Sequence, residues 1–342
     1  MVRPIVAIAA STALILLASG AQRGGAAELG DFYAGKTVRL VISNDPGGTY
    51  DLYARLAVRH LGRFLPGRPV LVPQNMPAAG GLVAANYVAA IAPKDGTVLG
   101  SINANVAIAQ ILGAPGIQYD ARAYNWVGRF TSTTGMYFTW HTSPTRTLQD
   151  LVTRETLTAG TGPTSNASII VRVSNELLGT KYKLVNGYNG TAEANLALQR
   201  GEVEGVHWNW EGTSSTIMGQ WLKDGQVRIV THYAEQRLPE LPDIPSIYEI
   251  ANTAEQRQVL RLFGSTDAIG RSLLLPPEVP GERVAALREA FRRMVQDADF
   301  QADAREQKLV MRPLDGAGLQ ALVVSAFDIS PENVAVARRY YR

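Results

Sequence analysis

The chain has 342 residues, 46% apolar and 18% charged, a composition that can build a sizeable core and excludes wholesale disorder. Its net charge is +3, with 33 basic residues against 30 acidic ones and no basic block of five or more, so the charge balance gives little support to nucleic-acid binding. Cysteine is absent, which excludes disulfides and a cysteine-linked lipid anchor.

The N-terminus reads as a cleavable secretory signal over residues 1–27. Arg3 supplies a positive charge, and Ile5 to Ala18 is an apolar stretch too short for a comfortable membrane span. Ser19 and Ala21, or Gly25 and Ala27, suit the cleavage site, and a lone anchor helix is the alternative. No other apolar run is long enough to span a membrane, so a periplasmic or secreted protein is expected.

Beyond Lys36 the pattern alternates strands with helices. Val38–Ser43 reads as a strand and Thr49–Leu65 as a helix stopped by Pro66-Gly67. Val70–Val72 and Thr97–Ile102 read as strands around a helix at Gly81–Ile91. This rhythm implies a parallel sheet covered by helices. A second unit follows: strands at Leu157–Ala159, Lys183–Val185, Val203–Trp208 and Val227–Thr231, with helices at Ser165–Leu178 and Thr191–Arg200. Another strand is expected near Val259–Ser265, then a long helix after the proline-rich "PPEVPG". The C-terminal part has too few strands to stand alone and is expected to return to the first unit. The resulting division is 28–128 and 253–342 for one lobe and 129–252 for the other. Two α/β lobes linked by two crossings leave a cleft between them and a hinge in the crossings.

Catalytic signatures are missing. The four histidines, His60, His141, His207 and His232, have no metal-ligand spacing, and there is no nucleophile elbow or phosphate-binding P-loop. Asp51 is a candidate acid without an evident partner base. An enzyme is therefore not expected, and neither a metal nor a cofactor is called for.

Four glycine-containing turns stand before helices: "NDPGGTYD" (44–51), "NMPAAGG" (75–81), "GTGPTSNAS" (160–168) and "NGYNGTAE" (186–193). In a parallel sheet such turns lie at the carboxyl ends of strands, where the next helix offers free N–H groups and partial positive charge. Pro46, Gly47, Gly48, Thr49, Tyr50, Asp51, Thr161, Thr164, Ser165, Asn166, Tyr188 and Asn189 are the candidate ligand-binding residues these loops supply, and Asn103, just after the strand Thr97–Ile102, is a further one. Such donors suit a carboxylate, yet the same residue types serve any turn or helix cap, and both readings fit. In "HWNWEG" (207–212), His207 and Trp208 are further candidates, since the cluster follows a strand and either walls the cleft or packs in the core.

At these residues the sequence resembles the periplasmic solute-binding receptors of tripartite tricarboxylate transporters, the Bug family. "GKTVRLVISNDPGGTYDLYARL" resembles the family's opening strand, P-G-G-x-x-D loop and helix. "VPQNMPAAGGLVAANYVAAIAPKDGTVLG", "GYNGTAEANLALQRGEVEG", "GQVRIVTHYAEQRLPELPDIPSIYE" and "LLLPPEVPGERVAALREAF" resemble later family segments in family order. The resemblance implies a type II periplasmic-binding-protein-like α/β fold, two Rossmann-like lobes with a ligand cleft and a two-segment hinge. It implies a receptor that captures a small organic acid and delivers it to a membrane permease, with Pro46–Asp51 holding a carboxylate and Thr161–Ser168 and Tyr188–Gly190 facing it. Small-molecule ligand and permease subunits are the expected partners, with no nucleic acid, and the receptor is expected as a monomer in the periplasm. Asn189 replaces the family's usual lysine, and His207, Trp208, Asn209 and Trp210 replace small residues, so the pocket is expected to be more aromatic and less cationic than a citrate site. A sensor feeding a signalling partner, or an enzyme on the same scaffold, are the alternatives.

Overall fold

Val38, Leu40, Val41 and Ile42 have no exposure at all, the pattern of a central strand covered on both faces. They lie in β1 (Thr37–Ile42) of a computed structural model that describes residues 29–44, 46–47, 49–160, 166–188, 191–213 and 217–341. β2 (Val70–Asn75) and β3 (Val98–Ser101) flank β1 in parallel, and β4 (Asn125–Thr131) lies further out in the same sheet. The chain then crosses to build a second sheet from β5 (Gly135–Trp140), β6 (Thr156–Gly160), β7 (Tyr182–Asn186), β8 (Gly205–Asn209) and β9 (Val227–His232). It returns with β10 (Arg271–Leu275) and β11 (Leu314–Asp315). The strand orders are β11-β4-β10-β3-β1-β2 and β7-β6-β8-β5-β9.

Neither sheet is wholly parallel. β10 runs antiparallel to both β3 and β4, and β5 runs antiparallel to β8 and β9. The expected strand at Val259–Ser265 is instead part of helix Ala254–Ile269. Thr253 caps its first turn by accepting from the Gln256 N–H, while the Gln256 side chain reaches back to the Thr253 N–H, a reciprocal box that fixes a helix start. β4 stays in the first sheet as far as Thr131, so the first crossing lies at Ser132–Thr134 and not at the expected boundary between 128 and 129.

The second crossing is Gly270 alone, between helix Ala254–Ile269 and β10. The two crossings are tied together: Thr133 donates from its N–H to the Asp267 carbonyl at 2.9 Å and from Oγ1 to the Asp267 carboxyl at 2.6 Å. A third link comes from helix Pro331–Tyr341. Its Ala337 shares one apolar cluster with Ile108 and Leu112 of the first lobe and Ile169, Val173, Val259 and Phe263. Arg312 adds a polar tie, pairing with Glu211 at 3.0 Å and with Glu240, both in the segment that carries the second sheet's connections. Among the described residues no helix is long and apolar enough to cross a membrane.

Candidate functional site

The loops after β1, β2 and β3 end at the same edge of the first sheet because those strands run parallel. Asp51 organises them. It is 2% exposed, in the first turn of helix Thr49–His60, and its carboxylate accepts from the Gly47 N–H and Arg55 Nε, each at 2.8 Å, and from Asn75 Nδ2 at 2.9 Å. Asn75 in turn donates to the Asn44 carbonyl at 2.9 Å and accepts from Arg55 Nη2 at 3.1 Å. Burial alone raises the Asp51 pKa, but the bonds from Arg55, Gly47 and Asn75 outweigh it and hold the carboxyl below its ordinary value. Asp51 is thus a fixed anion spent on clamping the loop to the helix and to β2. Pairing at i,i+4 with Arg55 supplies the charge partner.

The β3 loop closes on the same edge. The Asn103 N–H donates to Ser43 Oγ at 2.9 Å, and the Asn103 side chain caps the next helix by accepting from the Asn105 N–H at 3.0 Å. Gly81, with φ of 97°, lies so close that a Cβ there would stand 3.1 Å from Asn103 Cβ. Only a residue without a side chain adopts that conformation and that approach easily. Asn103 is half-buried, while Pro46, Gly47 and Thr49 are exposed.

Tyr50 faces inward. Its hydroxyl accepts from the Ala104 N–H at 2.9 Å and lies 3.4 Å from the Gly270 carbonyl, to which it donates, so it braces the loops against the crossing. Arg271 completes this corner. Its guanidinium sits 4.2 Å from the centre of the Tyr50 ring, and its Nη2 reaches Thr49 Oγ1 at 3.4 Å. Its Nε is buried with no partner among the described residues, and no carboxylate pairs with it there. Arg271 was not among the sequence candidates. It comes from the first residue of β10, far along the chain, and nothing local marks it.

In the second lobe, Thr161, Thr164, Ser165 and Asn189, like Gly48 in the first, lie outside the described residues, as does the side chain of Asn166. The start of that loop edge is visible. Gly160 ends β6 opposite Asn186 of β7, and a Cβ on it would overlap the Asn186 amide and stand 2.6 Å from Ser168 Oγ. Tyr188 is half-buried against the apolar cluster of Ala194 and Val203.

His207, in β8 of the second sheet, is 3% exposed, its ring edge-on to Tyr233 at 4.7 Å. Its Nε2 is buried without a partner among the described residues, and burial drives its pKa down to about 4. It is a neutral core residue. A base whose folded pKa is depressed contributes its stability above the unfolded value near 6.5 and loses it as pH falls towards 4. Unfolding by urea at pH 7 and pH 5 should therefore differ by about 2 kcal/mol from this group, and His207→Leu should make the difference shallower. An unaltered difference would contradict the neutral assignment. Trp208 is half-buried, packs against the Met136 and Phe138 cluster with Trp210, and spends its indole N–H on Asn195 at 3.0 Å.

The structure therefore sets Thr49 and Tyr50 against Arg271, and ties Gly47 to Asp51 and Asn103 to Ser43 at the same edge of the sheet. Among the described residues no group of histidines and carboxylates could hold a metal ion. A family model described as the tripartite tricarboxylate transporter family receptor matches residues 54–308, well over half of the chain. The chain belongs to this family. The receptor is thereby a member of a family of transporter receptors, as the motif resemblance implied.

Solved structures share the two-lobed α/β fold. A solute-binding protein of the family from Polaromonas, solved without ligand, covers 90% of the receptor and 98% of its own chain at a TM-score of 0.69 and 16% identity. A Rhodopseudomonas palustris protein with adipate covers 89% and 98% at 0.61 and 20%. Curated UPF0065 proteins of Bordetella pertussis and Bordetella bronchiseptica are 34% and 27% identical over 100 and 220 residues. The receptor spans only 28% and 63% of the length of these two relatives.

Proposed function

We propose that the receptor captures a small organic acid between its lobes and hands it to a permease of the tripartite tricarboxylate type. The observation that carries this reading is Arg271. An arginine that forms no ion pair among the described residues, its charge felt by the buried Asp267 carboxyl, stands beside the exposed Thr49, at the N-terminus of helix Thr49–His60 and at the edge where three loops converge. A guanidinium and a helix N-terminus both favour an anion there. The arginine offsets the charge that Asn189 removes. One cation suits a mono- or dicarboxylate better than a tricarboxylate, and the similar structure with adipate fits this class. On this reading residues 1–27 are removed on export, the mature receptor is a monomer, and Thr161–Asn166, Tyr188 and Asn189 close over the acid from the second lobe.

A thermal-shift screen of the mature protein, stripped of solute by unfolding and refolding, tests the reading. The panel is citrate, malate, adipate, glutamate, benzoate, terephthalate and nicotinate. A ligand at a hundred times its Kd adds roughly 2.7 kcal/mol of stability. A rise with one or two of the smaller acids is expected. No rise with any of them would overturn the carboxylate reading.

A further inference from the structure

A cavity of about 700 Å³ opens between the lobes. It contains none of the residues assigned above to the solute site. Its first-lobe wall is built at the β4 and β11 edge of one sheet, from Arg129, Arg312 and the segment Leu322–Ile329. Its second-lobe wall follows β9, the edge strand of the other sheet, from Tyr233 to Leu238. The crossing Ser132–Thr134 and the end of helix Ala254–Ile269 complete the lining. The solute loops, in contrast, follow β1, β3, β6 and β7. The two sites thus lie towards opposite edges of the sheets, separated by the crossings.

The charges of this lining are unevenly satisfied. Arg261 pairs with Glu235, and Arg312 pairs with Glu211 and Glu240. Arg129 pairs with no carboxylate among the described residues. Its Nη1 donates to the Ala268 carbonyl and its Nη2 to the Arg312 carbonyl at 3.4 Å, while its Nε is buried with no partner. Burial first, and then the like charge of Arg312, press the Arg129 pKa downward. A half-buried cation in this position lacks the counter-ion that would offset its partial desolvation. Asp267 does not supply it: its carboxyl is engaged by Thr133, and burial raises its pKa towards the neutral form.

The rest of the lining is mixed: Tyr233, Tyr248, Leu262, Leu322 and Ile329 give an apolar face, and Gln258, Ser265 and Asp328 are polar members beside it. A cavity of this volume with an apolar face and a few fixed polar groups has the proportions of a small-molecule site. We propose that it is a second ligand site, for a small organic anion with an apolar body whose carboxylate sits on Arg129. The proposal is independent of which acid the front loops take.

Titration calorimetry of the refolded mature receptor with hexanoate, and with 1-hexanol as its uncharged counterpart, tests it. Saturable binding of hexanoate, and none of the alcohol, is expected. Arg129→Gln should weaken hexanoate at least tenfold, the loss of one charge-assisted contact. Ala326→Trp, which fills the cavity from the end of helix Gly316–Ser325, should weaken it as much, and it keeps the test alive should Arg129→Gln fail to fold. The proposal is overturned if the folded receptor takes up no hexanoate at millimolar concentration, or if 1-hexanol binds equally well. It is also overturned if Arg271→Gln abolishes binding while Ala326→Trp does not.

Discussion

Replacing Gly270 with alanine should destabilise the receptor by about 3 kcal/mol or more, the largest effect expected of any single methyl group in the crossings. Gly270 has φ of 59° and ψ of −138°, a region that residues with a Cβ scarcely enter. A Cβ there would overlap the Thr131 carbonyl oxygen and stand 2.9 Å from Ser132 Cα. Both neighbours are backbone, at the end of β4 and the start of the other crossing, so neither moves without shifting β4 against β10, whose register pairs Arg271 with Thr131. The Gly270 carbonyl also receives the Tyr50 hydroxyl, so the strain passes directly to the solute loops. Gly179→Ala is the proper control. Gly179 has φ of 71° but open space around its Cβ position, so the backbone penalty alone, about 1 kcal/mol, should appear there. Urea unfolding of the two variants separates the terms. Equal losses would mean that the crossings yield easily and do not set the lobe geometry.

Arg271→Gln should weaken the preferred acid more than tenfold while leaving the unfolding midpoint of the ligand-free receptor almost unchanged. The glutamine retains a hydrogen-bonding end but removes the charge, and a hydrogen bond to a charged group contributes about 1.5–3 kcal/mol. Stability is little affected because the guanidinium makes no ion pair among the described residues and its Nε is already without a partner. Calorimetric titration of the two proteins with the same acid gives the comparison. Equal affinities would remove Arg271 from the solute site and leave Arg55, already paired with Asp51, as the cation of these loops.

The difference between Asp51 and Arg271 shows what the chain reveals before it folds. An acid after two glycines at the end of an apolar run marks a strand-turn-helix junction, and the junction is there. The role of that acid is not readable in the same way. Arg55, one helical turn on, is a visible partner, but Asn75 reaches Asp51 only because β2 lies beside β1. Arg271 is brought in by the returning strand and has no local signature at all. The same limit explains the helix taken for a strand: "VLRLFGS" is apolar enough for either, and the decision rested on the capping pair Thr253 and Gln256 at its start. β4 and β5 escaped notice because their glycines and threonines break the expected pattern. Gly128 is required by packing, since a Cβ there would run into the Phe291 ring. His207 and Trp208 lay in a motif that suited either wall or core, and burial assigns the histidine to the core.

The central claim is that a carboxylate is held at the first-lobe edge beside Arg271. A crystal structure of the receptor with the acid that gives the largest thermal shift tests it most directly. The expected result is a carboxylate within hydrogen-bonding distance of Arg271 or of the Thr49 hydroxyl, with Asp51 still bound to Arg55 and Asn75. An acid found only against Arg129, or in the cleft with its carboxylate turned away from Arg271, would contradict the account.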